Sequence, residues 1–171
     1  MDLPQSFCQN HSHTPQPSPL VNIKSLLLTI LVAFVTVWAT DFLIHGVWLS
    51  ATYGETKQLW RPEAEMLAKM PFMLLGQLLV ATSFTLIFAA CVAEKRCLSC
   101  TLKYAACIGV MTGGAQIIMY AVQPLPGLLV VKWCVAYLVQ ALLLGAIVHQ
   151  VYRHPGASPC TAPSGDTTYK T

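Results

Sequence analysis

Two ionisable residues, Asp41 and His45, follow an apolar stretch, SLLLTILVAFVTVWAT, that carries no charge. Because they are four residues apart, a helix places them on one face. A carboxylate accepts protons and histidine titrates near physiological pH, so the pair suits proton exchange. Ionisable residues inside membrane segments usually face the protein interior or a water-filled space and are functional candidates. The same spacing is also compatible with a structural hydrogen-bonded pair.

Heptad steps predict that this face of the helix continues in both directions from the pair. It would then also carry Phe34, Trp38, Trp48 and Thr52. At 1.5 Å per residue, Asp41 lies about 25 Å beyond Lys24. In a hydrocarbon core about 30 Å thick, that depth is in the outer leaflet.

Other polar side chains fall in the same outer half when depth is counted from the ends of their own apolar stretches. They are Gln77, Gln116, Tyr120 and Lys132. The sequence therefore predicts that they converge with Asp41 and His45 into a polar cluster, which is a candidate site for a ligand or a proton. Its sharpest form is an Asp41–Lys132 ion pair, with Arg61 as a competing partner, because an unpaired charge in lipid is costly. Two alternatives stay open: hydrogen bonding between helices without further function, or a Lys132 that extends its ammonium outward.

Metal-ligand residue types occur at close spacing in two segments, Cys8-Gln-Asn-His11-Ser-His13 and Cys97-Leu-Ser-Cys100. Zinc usually takes four ligands in a defined frame, which neither segment supplies. The seven cysteines are scattered at spacings that form no disulfide framework. We therefore expect no metal site and no cofactor, with a metal or redox role for either segment as the alternative.

The sequence contains no motif that would make Asp41 and His45 part of an enzyme active site. GxSxG, HExxH and P-loop patterns are absent. A haem held by two histidines needs both at similar depth, whereas His149 lies about 33 Å past Gly127 and His45 lies near the outer face. A non-enzymatic protein is expected.

Four apolar stretches are long enough to position these residues on membrane-spanning helices. They cover residues 25–49, 71–93, 102–122 and 127–151 approximately, and crossing a bilayer requires roughly 20 residues. Backbone groups in lipid must bond internally, and these runs are too long and too continuous for barrel strands. Short connections favour neighbouring antiparallel helices. The predicted fold class is all-α, with four transmembrane helices in an antiparallel up-and-down bundle over residues 24–152.

The composition excludes several broad classes of protein. Of the 171 residues, 55 % are hydrophobic and 10 % charged, with a mean hydropathy of +0.58; soluble domains carry about 25 % charged residues. A water-soluble enzyme and a disordered chain are both excluded. The net charge of +3 is spread thinly and predicts no nucleic-acid partner. Residues 1–23 and 153–171, rich in proline and polar residues, are expected to be disordered tails.

The positions of the basic residues predict the orientation in the membrane. With the N-terminus inside, the inner segments hold six lysines and arginines and the outer ones hold four, Lys132 included. Both termini are therefore expected in the cytoplasm. The first apolar stretch is too long, and begins too late in the chain, for a cleaved signal peptide.

The outer loop after the first helix combines Tyr53 with the segment Trp60-Arg61-Pro62-Glu63-Ala64-Glu65. Proline in a first turn, followed by acidic residues, predicts a short helix. We expect it to lie in the membrane interface, with Tyr53 and Trp60 at headgroup level.

The third apolar stretch carries small residues at helical spacing, Ala105, Gly109 and Gly113. Small residues let two helices approach closely. Packing within the bundle is the favoured interpretation, and a dimer face is the alternative.

The segment Asp41-Phe-Leu-Ile-His45-Gly46-Val47, followed by Tyr53 and by Leu59-Trp60-Arg61-Pro62, resembles a family of small, uncharacterised bacterial membrane proteins. Such proteins have four helices, an Asp/His pair late in the first helix and a Leu-Trp-Arg-Pro outer loop. The resemblance covers residues 38–70. It implies the four-helix fold, a location in the bacterial inner membrane, and joint action of the polar end of the first helix with the loop. It implies no activity.

Two functions are compatible with these features. The first is a non-catalytic accessory or scaffold subunit in the bilayer, whose partners are lipid and a larger membrane complex or further copies of this chain. Its short loops and lack of a soluble domain favour it. The alternative is a small transporter or proton-linked carrier that uses the Asp41/His45 cluster. Against the carrier stands the predicted off-centre position of the cluster, since carriers usually bind substrate near the midplane.

Overall fold

The computed structural model describes residues 22–93 and 97–152, and every regular element in this part of the chain is helical. The α-helices are α1 (Ile23–Asp41), α2 (Ser50–Glu55), α3 (Glu63–Ala68), α4 (Met70–Cys91), α5 (Leu98–Val122) and α6 (Gly127–Val151). A π-helical segment, Phe42–Trp48, joins α1 to α2, and a single 3₁₀ turn, Lys57–Leu59, follows α2. The predicted tails, with Cys8, His11 and His13, lie outside the described residues, apart from Asn22 and Ile23 at the start of α1.

Four helical spans are long and apolar enough to cross a membrane, which confirms the four apolar helices predicted from the sequence. They are Ile23–Trp48, Met70–Cys91, Leu98–Val122 and Gly127–Val151. The chain is thus compatible with a multi-pass membrane protein.

The third span starts four residues earlier than predicted, at Leu98. Cys97 caps the helix and Cys100 lies in its first turn, so the Cys97/Cys100 pair does not form a loop. Lys103, in the second turn of this helix, can extend its ammonium away from the apolar core. It therefore does not end the helix.

The spans bury many small and polar side chains, together with some large ones such as Phe84 and Trp133, and expose most of their large apolar side chains. The inward positions of α1 are Thr29, Ala33 and Val37, which follow one another at four-residue steps. Leucine, isoleucine, valine and phenylalanine side chains cover the outer surface, among them Leu31 at 58 % and Val110 at 66 % exposure. Small residues inside and large apolar residues outside are typical of helices that pack together in lipid.

Helices α5 and α6 pack closely against each other, and glycines permit it. A Cβ added to Gly145 would lie 2.7 Å from the Cβ of Ala105, and one added to Gly109 would lie 2.9 Å from the Cα of Leu138. Gly113 faces Cys134, where an added Cβ would lie 3.5 Å from the Cα. The Gly109/Gly113 face of α5 therefore packs against α6 of the same chain.

The first span continues after Asp41 as a π-helical segment, which is wider than an α-helix. The N–H of Leu49 donates to the carbonyl of Ile44 over 2.9 Å, five residues back. The predicted heptad stripe is wrong around this segment, because Trp38 and Trp48 are half exposed and Val37 and Leu49 are buried instead. The buried residues of α1 follow one another every four residues, which differs from the heptad pattern. The wider π-helical turns then shift the residues after Asp41 to a different face.

Candidate functional site

The carboxylate of Asp41 is held by two glutamine amides from two other helices. Gln77 Nε2 on α4 donates to Oδ2 over 2.7 Å, and Gln140 Nε2 on α6 donates to Oδ1 over 2.7 Å. One side chain at the end of α1 therefore connects three of the four spans. Both bonds are as short as hydrogen bonds to an ionised acceptor.

Gln140 is a site residue that the sequence analysis missed. It is buried and also approaches Thr40 Oγ1 at 2.7 Å and the carbonyl of Val37 at 3.4 Å. Its signal was visible, since it is an amide within an otherwise apolar stretch. Its distance from Gly127, however, is about 20 Å along the helix, which is farther from the outer end than the residues of the expected cluster.

Gln77 combines deep burial with an unsatisfied acceptor. The residue is 8 % exposed, its Nε2 donates to Asp41, and its Oε1 is a buried atom with no hydrogen-bond partner. An unsatisfied buried acceptor costs about 1–3 kcal/mol. Together with the carboxylate, it gives the site more acceptors than donors.

Asp41 lies beside the middle of α6, whereas along its own span, Ile23–Trp48, it is the nineteenth of 26 residues. Its partner Gln140 is the fourteenth of the 25 residues of α6. Its other partner, Gln77, is the eighth of the 22 residues of α4. The two amides bond to the same carboxylate but lie at different distances from the starts of their helices. Helix α4 therefore begins closer to the level of Asp41 than α6 does. Depth counted from each helix start therefore misplaces the residues relative to one another.

The predicted Asp41–Lys132 ion pair is wrong. Lys132 Nζ donates instead to Thr52 Oγ1 over 3.1 Å. Lys132 precedes Gln140 by eight residues on α6, about 12 Å along the axis, which places its ammonium two turns from the carboxylate. Arg61 does not replace it, because it pairs with Glu65 at 3.5 Å on the surface. That pair is the only salt bridge among residues 22–93 and 97–152.

His45 is fixed by a hydrogen bond whose direction follows from its neighbours. Trp133 Nε1 donates to the Tyr53 hydroxyl over 2.8 Å, so the phenol proton is free to point at His45 Nδ1, 2.6 Å away. A neutral His45 that accepts at Nδ1 carries its own proton on Nε2. The His45 and Tyr53 rings also stack, with centroids 6.0 Å apart.

Tyr53 and Trp60 belong to an aromatic cluster rather than to an outward-facing belt. The Trp60 ring meets Tyr53 edge-on at 5.3 Å and Trp133 at 6.2 Å, and its Nε1 donates to Thr56 Oγ1 over 2.9 Å. Burial raises the pKa of Tyr53, and the charge of Asp41 adds to this against the Trp133 hydrogen bond. The Tyr53 hydroxyl is therefore protonated at neutral pH.

Three cavities adjoin one another from the outer loop to Asp41. An outer cavity of about 920 Å³ is bordered by Lys57, Trp60 and Arg61. A middle cavity of about 650 Å³ shares His45, Gly46 and Tyr53 with it. An inner cavity of about 300 Å³ shares the following residues with the middle one: Asp41, Met73, Gln77 and Tyr137. A row of shared side chains thus leads from the loop through His45 to Asp41.

The structure does not bring Gln116 and Tyr120 to this site. Tyr120 is 48 % exposed, and its hydroxyl lies beside Gly127, at the first turn of α6. Gln116 is half-buried on α5, and neither residue lines the three cavities. Because α5 directs its glycines at α6, the residues that follow them meet the start of α6 and not α1. Helix α5 contributes Ile108 and Thr112 to the inner cavity instead.

Metal-ligand side chains do not converge in the described part of the chain. Across residues 22–93 and 97–152, no three His, Cys, Asp or Glu side chains are placed to hold one ion. Cys97 Sγ lies 3.0 Å from the Ser99 hydroxyl.

No protein-family model, curated protein or solved structure matches this chain. Its function is therefore inferred from the side chains that meet at Asp41.

Proposed function

We propose that this chain is a small membrane carrier that takes up and releases a proton at Asp41. The observation that carries the proposal is a carboxylate held between α1, α4 and α6, at the wall of two cavities whose described lining residues include no lysine or arginine. Asp41 is partly buried, and a carboxylate in a membrane-spanning segment without a cationic partner is neutralised by a proton or by a bound cation. Reversible neutralisation is the step that a proton-linked carrier needs.

The access of the site supports the same function. The adjoining cavities connect it to the outer loop past His45, whose imidazole is a side chain that can accept and donate protons. His45 would exchange protons between the loop side and Asp41.

A second candidate is the non-catalytic accessory or scaffold subunit. Its support is the large apolar surface of the helices. Of the 18 most apolar consecutive residues of the first span, only 17 % are buried within the chain, and the same fraction holds for α5. Such surface suits lipid, a larger membrane complex or further copies of this chain equally. Co-purification of a defined partner in mild detergent, lost when exposed residues of α5 are changed and kept in Asp41→Asn, would favour it.

For the whole molecule we propose an antiparallel up-and-down bundle with both termini in the cytoplasm of a bacterial cell. The pairing of Thr101 with His149 and of Gly113 with Cys134 supports opposite directions for α5 and α6. The Asp41–Gln140 and Lys132–Thr52 bonds support the same for the first span and α6. Membership of the family of small bacterial four-helix proteins remains part of this proposal.

The carrier function is tested in vesicles that contain the purified protein and a trapped pH-sensitive dye. A pH gradient is imposed, pools of amines, amino acids, sugars and carboxylic acids are added outside, and decay of the gradient is recorded. We expect at least one pool to accelerate decay for the wild type and for Gln116→Leu, and none to do so for Asp41→Asn. A decay that is identical for all three proteins with every pool would overturn the carrier.

A further inference from the structure

The Asp41 site has an excess of hydrogen-bond acceptors. Each carboxylate oxygen accepts one amide N–H, which leaves lone pairs on both. Gln77 Oε1, on a residue 92 % buried, accepts none, and Gln77 lines both the inner and the middle cavity. A ligand that satisfies these atoms must offer several donors.

The site also carries an unbalanced negative charge when Asp41 is ionised. The neighbouring titratable side chains are His45 on the π-helical segment, Tyr53 on α2 and Tyr137 on α6. Helices α4 and α5 contribute no titratable side chain to the lining of the inner and middle cavities. The one lysine of α6, Lys132, donates its hydrogen bond to Thr52 and not to Asp41. A donor that brings positive charge therefore fits better than a neutral one.

The walls of the inner cavity distinguish between kinds of cation. A carboxylate and one amide oxygen are too few for Ca²⁺, which takes six to eight oxygen ligands, or for an octahedral Mg²⁺ site. The remaining lining is mostly apolar or aromatic: Val37, Phe72, Met73, Val80, Phe84, Ile108 and Leu144. Part of it is open to the outer surface of the helices, since Phe72, Met73 and Val80 are at least half exposed. This lining suits a hydrocarbon body next to a single charged head. At about 300 Å³, the cavity is at the lower end of ligand sites.

We infer that the Asp41 site binds a small organic ammonium ion, whose N–H groups bond to the Asp41 carboxylate and Gln77 Oε1 and whose apolar body fills the inner cavity. This inference rests on the proposed carrier function and names its substrate class. The ammonium ion and the proton neutralise the same carboxylate, so they bind in competition. Exchange of one for the other couples their movements.

A proton alone could also neutralise the site. If the amide of Gln77 were turned over, its Oε1 would accept the proton of a neutral Asp41, and such amide orientations are assigned from the hydrogen-bond network. A proton, however, needs no apolar cavity beside it. The cavity therefore favours the organic cation, and the experiment separates the two.

The test is titration calorimetry of the full chain in detergent with benzylammonium as the probe. We expect one binding event per chain that weakens as pH is lowered, because protons compete for Asp41. Benzyltrimethylammonium, which has the charge and the ring but no N–H group, should bind about threefold to tenfold more weakly.

Two variants and one control locate the binding. Asp41→Asn should weaken benzylammonium binding at least about thirtyfold, as expected when one partner of a buried charge pair is removed. Gln77→Met should reduce the preference for benzylammonium over its trimethyl analogue, because the Asp41 carboxylate remains as the other acceptor. Gln116→Leu, outside the cavities, should bind like the wild type. Since Asp41→Asn disturbs three helices, thermal unfolding is recorded for each protein. If that variant does not fold, the Gln77→Met comparison and the pH dependence decide.

The outcomes separate this inference from the carrier function. Absence of benzylammonium binding to the wild type, or equal binding to wild type and folded Asp41→Asn, overturns the inference. If vesicles then still show Asp41-dependent decay of the pH gradient with another solute pool, the carrier stands and its substrate is not an ammonium ion. If benzylammonium binds as described but no pool accelerates decay, the ammonium site stands and the carrier function fails.

Discussion

Tyr53 is the side chain whose single hydroxyl joins the outer loop to the membrane-spanning part of the chain. It accepts from the largely buried Trp133 and donates to His45, so both neighbours lose a partner if it is removed. We expect Tyr53→Phe to destabilise the protein by about 1–3 kcal/mol, the cost of unsatisfied buried groups. Thermal unfolding in detergent measures it. Tyr120→Phe is the control, because that ring is exposed, and should change stability by less than about 0.5 kcal/mol. Equal effects of the two changes would contradict the hydrogen-bond assignment.

The raised pKa of Tyr53 predicts a loss of stability at alkaline pH. Below its ordinary value of 10.0 the phenol is protonated in folded and unfolded chains alike. Above that value the unfolded chain ionises first, so folding becomes less favourable as pH rises. The wild type should therefore lose more stability than Tyr53→Phe between neutral pH and pH above 10. A parallel decline in both proteins would show that Tyr53 is not the group responsible.

Lys132 and Asp41 should act independently, since Lys132 bonds Thr52 and not the carboxylate. We expect Lys132→Met to cost about 0.5–1.5 kcal/mol, a typical net hydrogen-bond value. Its effect should add to that of Asp41→Asn within about 0.5 kcal/mol, as for separated sites without shared partners. A double-mutant cycle of thermal unfolding checks this. Recovery of stability in the double variant would instead reveal an ion pair.

At the scale of elements, the contact between α5 and α6 depends on glycine at defined positions. An added Cβ at Gly145 would come within 2.7 Å of Ala105, closer than real Cβ contacts, so Gly145→Ala should separate the helices and destabilise by about 1–3 kcal/mol. Gly114→Ala is the matched control, because nothing lies within 4 Å of its added Cβ. Its stability should stay equal or rise, since alanine favours helices. Thermal unfolding of both variants is the measurement, and equal destabilisation would contradict this packing.

The elements also show what could be predicted from the sequence. The four spans follow from length and hydropathy alone, so their prediction needed no tertiary information. The small face of α5 was visible too, but its partner was not, because spacing on one helix does not identify the helix opposite. Gln140 was missed for a related reason, because its place beside Asp41 depends on how far α6 is shifted along the first span, which the lengths of single stretches do not contain. The π-helical segment was missed because hydropathy and spacing do not distinguish it from an α-helix.

For the whole molecule, the proposed orientation predicts which side of the membrane each connection faces. Alkaline phosphatase needs disulfides, which form outside the cytoplasm and rarely inside it. Fused after Gln123, between α5 and α6, it should be active; fused after Tyr152, past the end of α6, it should be inactive. A green fluorescent protein fused at the second point should be fluorescent. The opposite pattern would reverse the orientation while leaving the four spans unchanged.

The row of hydrogen bonds from Trp133 through Tyr53 to His45 has a fixed direction, because an indole N–H only donates. Were Tyr53 to give its proton to His45, the tryptophan could not replace it. The row is therefore a dead end for proton hopping, and Tyr53 orients the imidazole without serving as a relay. His45 can take up a proton only at Nδ1, because its Nε2 already carries one, and Nδ1 becomes available only when the Tyr53 hydroxyl turns away. Breaking this short hydrogen bond, and not only the supply of water, would then set the speed at which His45 passes protons to Asp41.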